Sequence, residues 1–179
     1  NHRRDQRGDV GKALHKDFER FALEGVLPNE QTYADEDRPR VRALNEWIVR
    51  NEPEFQVSEV VTASLENRYA GTLDAKATFG KGKFKGAYVL LDLKSSKYIY
   101  PDSHWPQLEA YEAAEVECGE EPTDFRMVLH LPPDGSAVES VSSDTFADFA
   151  ILLDAFNSVQ GRKARIKEAK ALAKAGGGY

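Results

Sequence analysis

The tripeptide Asp92-Leu93-Lys94 carries the most chemistry for its length in this chain. It closes the run 88–94, whose apolar start reads as a strand buried on both faces. Alternation along a strand puts Asp92 and Lys94 on one face, about 7 Å apart. A carboxylate there can hold a hard cation. An ammonium two residues on can orient an attacking water and offset charge on a phosphate. The same tripeptide also marks an ordinary strand leaving the core. Asp74, in Gly71-Thr72-Leu73-Asp74, belongs to the preceding β segment. If the two strands are antiparallel neighbours, the carboxylates converge, and they repel unless a cation or proton intervenes. Oxygen-rich sites of this kind suit Mg²⁺ or Mn²⁺; a strand aspartate turned to solvent is the plainer alternative. His15, at the edge of a helical apolar stripe, can hand an imidazole to that cation or simply mark the helix boundary. His2, His104 and His130 have weaker claims. Gln107 and Tyr111 are i and i+4, so they share a helix face. That face can hydrogen-bond a phosphate, stack a base, or look into water.

The elements that must position these residues follow from periodicity. Leu14, Phe18, Phe21 and Gly25 keep helical spacing and predict a helix over 10–24, with Asp9 as N-cap. A second helix over 35–50 carries Val41, Leu44, Trp47 and Ile48. The period then becomes two. Residues 55–65 are β-rich, and 69–79 alternate. Tyr69, Leu73, Ala75, Ala77 and Phe79 are expected on one face, with Asp74, Lys76 and Thr78 on the other. The loop 80–86, GKGKFKG, fails the spacing of a Walker phosphate loop. It reads as a mobile basic flap presenting Lys81, Lys83 and Lys85, or as solvated loop lysines. Asp102 or Ser103 can cap a third helix ending near 117. Residues 125–131 and 137–141 form a hairpin around Pro132-Pro133-Asp134-Gly135, and Asp144 caps a fourth helix with Phe146, Phe149, Leu152, Leu153 and Phe156. The Ala/Lys-rich stretch up to 175 is expected to fray and 176–179 to be disordered. Helix, helix, three strands, helix, two strands, helix is the order of an α/β sheet with helices on its faces.

Composition bounds the rest. With 179 residues the chain is expected to form one domain over 1–160, followed by a basic helix or tail over 161–179. No apolar run approaches the roughly 20 residues that span a bilayer. No basic-then-apolar signal segment opens the chain, and a start at Asn1 leaves room for a preceding piece. One cysteine, Cys118, excludes a disulfide framework and any four-Cys zinc or iron–sulfur site made by this chain alone; it fits a reducing, cytoplasmic setting and reads as an ordinary thiol. A net charge of −6 argues against nucleic acid, but its distribution does not. Between 76 and 97 lie six lysines and one acid, and from 161 on six basic residues face Glu168 alone. Local basic strips on an acidic body can still hold a polyanion, because screening keeps phosphate contacts short-range.

Together, Gly11-Lys-Ala-Leu-His15, Glu66 through Gly71-Thr-Leu-Asp74, Val89-Leu-Leu-Asp92-Leu-Lys94-Ser95 and Gln107-Leu-Glu-Ala-Tyr111 resemble the PD-(D/E)XK nuclease superfamily. The likeness is to its RecB-like exonuclease branch, which includes CRISPR-associated adaptation nucleases and many small phage exonucleases. It covers roughly residues 10–114. The resemblance implies a restriction-endonuclease-like core, a mixed central sheet flanked by helices, and hydrolysis of DNA phosphodiesters with one or two Mg²⁺ or Mn²⁺ ions. His15, Asp74, Asp92 and the Leu93 carbonyl would ligate metal. Lys94 would activate water, and Gln107 and Tyr111 would orient the site and contact DNA. Glu66 matches a recurrent acidic position without being a ligand. Relatives with iron–sulfur clusters need four cysteines, so this chain resembles the cluster-free type.

The expected function is a metal-dependent deoxyribonuclease, more an exonuclease than an endonuclease. It would act on single-stranded or end-containing DNA in recombination, replication or end processing, in a cytoplasm that a phage protein would share with its host. A recombination or replication protein is a further expected partner. The rival is a catalytically inactive member of the fold that binds DNA or protein; the complete Asp74/Asp92/Lys94 set favours the enzyme.

Overall fold

The computed structural model describes residues 2–176, the side chains of 2–9, 169 and 172–176 excepted. Its elements are α1 (His2–Glu24), a short 3-10 turn (Glu30–Thr32), α2 (Arg38–Asn51), β1 (Pro53–Ser64), β2 (Tyr69–Phe79) and β3 (Tyr88–Lys94). Then come α3 (Pro101–Glu117), β4 (Phe125–His130), β5 (Val138–Val141) and α4 (Phe146–Gly176). The five strands form one mixed sheet in the order β1-β2-β3-β4-β5. Only β3 and β4 are parallel, and α3 supplies the crossover that a parallel pair requires. This is a mixed α/β fold, consistent with the restriction-endonuclease-like core expected. No described helix is long and apolar enough to cross a membrane.

Two apolar cores sandwich the sheet. On one face Leu14 and Phe18 of α1 and Val41, Leu44 and Trp47 of α2 pack on Ala75, Ala77, Val89, Leu91 and Leu93. Phe18 meets Phe55 edge to face at 5.4 Å, and Trp47 meets Phe79 at 5.5 Å. On the other face Leu108 and Tyr111 of α3 cover Leu73, Leu90 and Val128. Three buried glutamates pin α3 down. Glu109 accepts from Arg126 and Ser142, Glu112 from Thr123, and Glu115 pairs with the fully buried Lys76 at 2.9 Å. Each buried carboxylate is thus compensated, as burial of charge requires.

Several expectations are corrected. The first helix begins at His2 and runs through Asp9, which therefore does not cap it. Pro101 opens α3, whose N-cap position is Tyr100, so Asp102 and Ser103 lie inside its first turn. At the start of the fourth helix the capping contacts are made by Thr145, not Asp144: the Thr145 amide and hydroxyl both donate to Asp148, the return half of a capping box. That helix continues without a break to Gly176, although its composition predicts fraying; 177–179 lie outside the described residues.

The largest correction concerns β2, which does not keep one alternation. Tyr69 and Leu73 face α3, whereas Ala75, Ala77 and Phe79 face α1 and α2. The switch falls at Asp74. On β1 the residue in line with it is Glu59, between the paired positions Ser58–Ala75 and Val60–Leu73. Glu59 adopts φ +51°, left-handed backbone that a glutamate seldom enters. Val57 and Val60, three residues apart, accordingly both face α3.

Candidate metal centre

The reversal aims Asp74 at the seam between the two halves of the domain. The β2–β3 pairing ends at Ala75–Leu91, so the next residues, Asp74 and Asp92, flank the point where the ladder stops. Asp74 Oδ2 takes over there, accepting the Leu93 amide at 2.6 Å. The same oxygen lies 3.3 Å from His15 Nδ1. Ligand atoms of His15, Glu59 and Asp74 all sit within 4.8 Å of one another. Asp92, 2% exposed, is held by Lys94, whose Nζ donates to one carboxylate oxygen at 2.8 Å. The other oxygen is 2.6 Å from Nζ, but it is buried and receives no directed hydrogen bond among the described residues.

Two close approaches build this arrangement. Gly11 lets α1 lie against the chain just past Lys94: a Cβ there would sit 3.0 Å from Ser95 Oγ. Gly71 lies under the Tyr111 ring, and a Cβ there would collide with it. Gln107 Nε2 donates to the Tyr111 hydroxyl at 2.5 Å, so these two share the face their spacing predicts.

The electrostatics tie the groups into one cluster. Burial, with the Asp74 charge adding to it, pushes the Asp92 carboxyl up to about 6 against the pull of Lys94. Burial pulls the His15 imidazole down, but the hydrogen bond and charge of Asp74 outweigh it and the net shift is upward. The Glu59 carboxyl is raised by partial burial and by Asp74. The Tyr111 phenol is raised by burial, with Asp92, Asp74 and Glu59 contributing. Asp92, Glu59 and Tyr111 are thus held toward their neutral forms by burial and by neighbouring carboxylates, while His15 is held toward its protonated form by Asp74.

Of the residues singled out in the sequence, His15, Asp74, Asp92 and Lys94 therefore come together, Gln107 and Tyr111 border them, and the Leu93 amide is fixed by Asp74. Glu66 does not join; it sits in the β1–β2 turn, its amide bonded to Glu117. Glu59 does, and sequence reading missed it. The signal was the spacing Val57-x-x-Val60, which breaks strand alternation around a carboxylate. The lysine loop is also displaced. It leaves β2 five residues past Asp74, about 17 Å along the strand. It is anchored rather than a free flap: Phe84 is buried against Phe79 and Phe125, and Lys81 pairs with Glu52 at 2.6 Å. Lys83 lies over Phe84, and Lys85 is exposed. His130 is buried with its ring nitrogen 2.8 Å from the Ser96 carbonyl, a structural role, and Cys118 is an exposed thiol.

No protein-family model matches the chain, and no curated protein matches it. Among solved structures, the crystal structure of SSO0001 is similar at 14% identity and a TM-score of 0.37, over 79% of this chain and 68% of that one.

His15, Glu59 and Asp74 are close enough together to hold a metal ion.

Proposed function

We propose that this protein is a metal-dependent deoxyribonuclease of the PD-(D/E)XK type, acting on DNA ends. The observation that carries this reading is the convergence of His15, Glu59 and Asp74 beside the Asp92–Lys94 pair. A single strand with an Asp-x-Lys tripeptide would not support it. Ligand atoms from α1, β1 and β2 within 4.8 Å of one another, next to a buried carboxylate on β3, do, because a cation would offset the repulsion among the three carboxylates more fully than His15 and Lys94 alone.

His15, Asp74 and Asp92 would hold Mg²⁺ or Mn²⁺, and Glu59 would join them or bind a ligating water. The bound ion would supply a water of lowered pKa and neutralise charge on the scissile phosphate. Lys94, held on Asp92, keeps its ammonium at the cluster, where it can orient the attacking water and stabilise negative charge as the P–O ester bond breaks. Asp74, fixed by the Leu93 amide and by His15, holds the β3 backbone in register with the site. Gln107 and Tyr111, bonded to each other on α3, would offer the Tyr111 hydroxyl and the remaining Gln107 amide hydrogen to a neighbouring phosphate.

The test is strand cleavage with Mn²⁺ and with EDTA. Wild type should cut linear DNA only with metal. Asp92→Asn and Lys94→Ala should each lower the rate by at least about a hundredfold, with unchanged circular dichroism. Cleavage that both variants retain would remove the assignment and leave a DNA-binding accessory role.

A further inference from the structure

A groove of about 420 Å³ between α3 and α4 lies outside the cluster yet shares Gln107 and Tyr111 with it. Its lining includes Tyr69, Phe149, Leu153 and Phe156. Tyr69 and Phe149 meet edge to face at 4.8 Å, while Phe156 leaves 57% of its surface open. Polar side chains in the lining beyond Gln107 and the tyrosines are Asp102 and Ser103. Tyr111 lines the groove, lies over Gly71 and packs with Leu73, the residue before Asp74, so the groove and the cluster are adjacent.

Beyond the groove α4 changes character. Arg162, Lys163, Arg165, Lys167 and Lys170 are exposed, with Glu168 the one acid among them. Residues 1–160, with 18 Lys and Arg against 29 Asp and Glu, bear a charge of −11. An occupant of the groove must therefore have a flat apolar face, some polar edge, and negative charge trailing toward the end of α4. An unpaired nucleotide end has all three: its bases stack on rings and its phosphates meet the cations.

We propose that the α3/α4 groove receives the unpaired terminal bases of a single-stranded DNA end, on Phe149 and Phe156, and leads the strand past Gln107 and Tyr111 to the cluster. The identity of the polyanion rests on the nuclease reading, whereas the stacking is tested without cleavage. The full-length chain in EDTA is titrated into three fluorescent DNAs: a linear single strand, the same sequence circularised, and a blunt hairpin duplex. Wild type should bind the linear strand tightest. Phe156→Ala should weaken that binding about tenfold and leave the duplex within about twofold, and Phe156→Trp should restore it. Because Phe156 is mostly exposed, its loss should not unfold the domain.

Equal binding of linear and circular strands, or indifference to Phe156→Ala, overturns the proposal. So does an oligomer seen by sedimentation that Phe156→Ala dissolves without changing DNA binding, which assigns the groove to a second copy. The two readings fail separately. A wild type that never cleaves but loses end binding with Phe156→Ala keeps the groove and loses the nuclease; one that cleaves with Mn²⁺ while ignoring Phe156 does the reverse.

Discussion

Asp92 sits on the central strand with almost none of its surface open to water, and its carboxyl is pushed up to about 6. An ordinary aspartate in the unfolded chain loses its proton near 3.8. Between those values the folded state binds more protons than the unfolded one. The stability from this group is therefore full below pH about 3.8 and drains as pH rises through about 6. Asp92→Asn should accordingly melt higher than wild type at pH 8 without metal, by a few degrees and on the order of 1–3 kcal/mol. The gap should close by pH 4. Thermal melts at both pH values measure it, and equal melting temperatures at pH 8 would count against a buried, strained carboxylate. Metal affinity should show the opposite slope. Ligation needs Asp92 ionised and His15 neutral, and both are held toward their protonated forms, so Mn²⁺ binding should weaken steeply as pH falls from 8 to 6. Calorimetric titration at several pH values checks this. A flat profile would show that these two groups are not ligands. Asp92, Lys94, Asp74 and His15 were legible in the sequence because their residue types and order carry the chemistry. Glu59 was not, because its one local mark, the spacing of Val57 and Val60, becomes meaningful only once the backbone reversal around it is seen.

The elements hold these groups through contacts that propensity does not describe. The limits of β2 and β3 were readable from alternation and from the apolar run, since both patterns arise directly from burial. The change of face within β2 was not, because alternation extrapolates one period and carries no mark for a reversal supplied by the opposing strand. The motif glycines gain a reason here. Gly71 is where the Tyr111 ring lies against the β2 backbone, so Gly71→Ala must push the ring or the whole of α3 outward. We expect a loss of about 1–3 kcal/mol in urea unfolding and a further fall in cleavage, because Tyr111 and Gln107 move together. Gly25→Ala offers a comparison: its added methyl meets nothing, although its φ of +69° still disfavours a side chain. Gly25→Ala should therefore shift stability alone. If Gly71→Ala does no more than that, the close approach has no part in the site.

At the scale of the whole molecule, charge is separated along the chain. The body is acidic, and cations collect on the far part of α4, where from 154 on every described side chain except Gly161 is exposed. The order of helices and strands gave the architecture early, because each connection is short and each element has its own period. What the order could not show is where the basic loop sits relative to the cluster. The lysine loop, prominent as a motif, is held at the other end of the sheet. Alanine in place of Arg162, Lys163 and Arg165 together should therefore weaken DNA binding more than Lys83→Ala with Lys85→Ala. It should also flatten the dependence of log affinity on log salt by roughly 0.7–0.9 for each phosphate that is no longer neutralised. Binding isotherms at several salt concentrations decide between the two strips, and a larger effect from the loop pair would return it to the interface.

The reversal at Glu59 and Asp74 has one more consequence. The β1–β2 hairpin belongs half to the layer under α1 and α2 and half to the layer under α3, with the cluster at the handover. Without a bound cation, amide hydrogens on the two sides should exchange as separate cooperative units. Occupying the cluster would rivet the hairpin to β3 and α1, and the two exchange rates would merge.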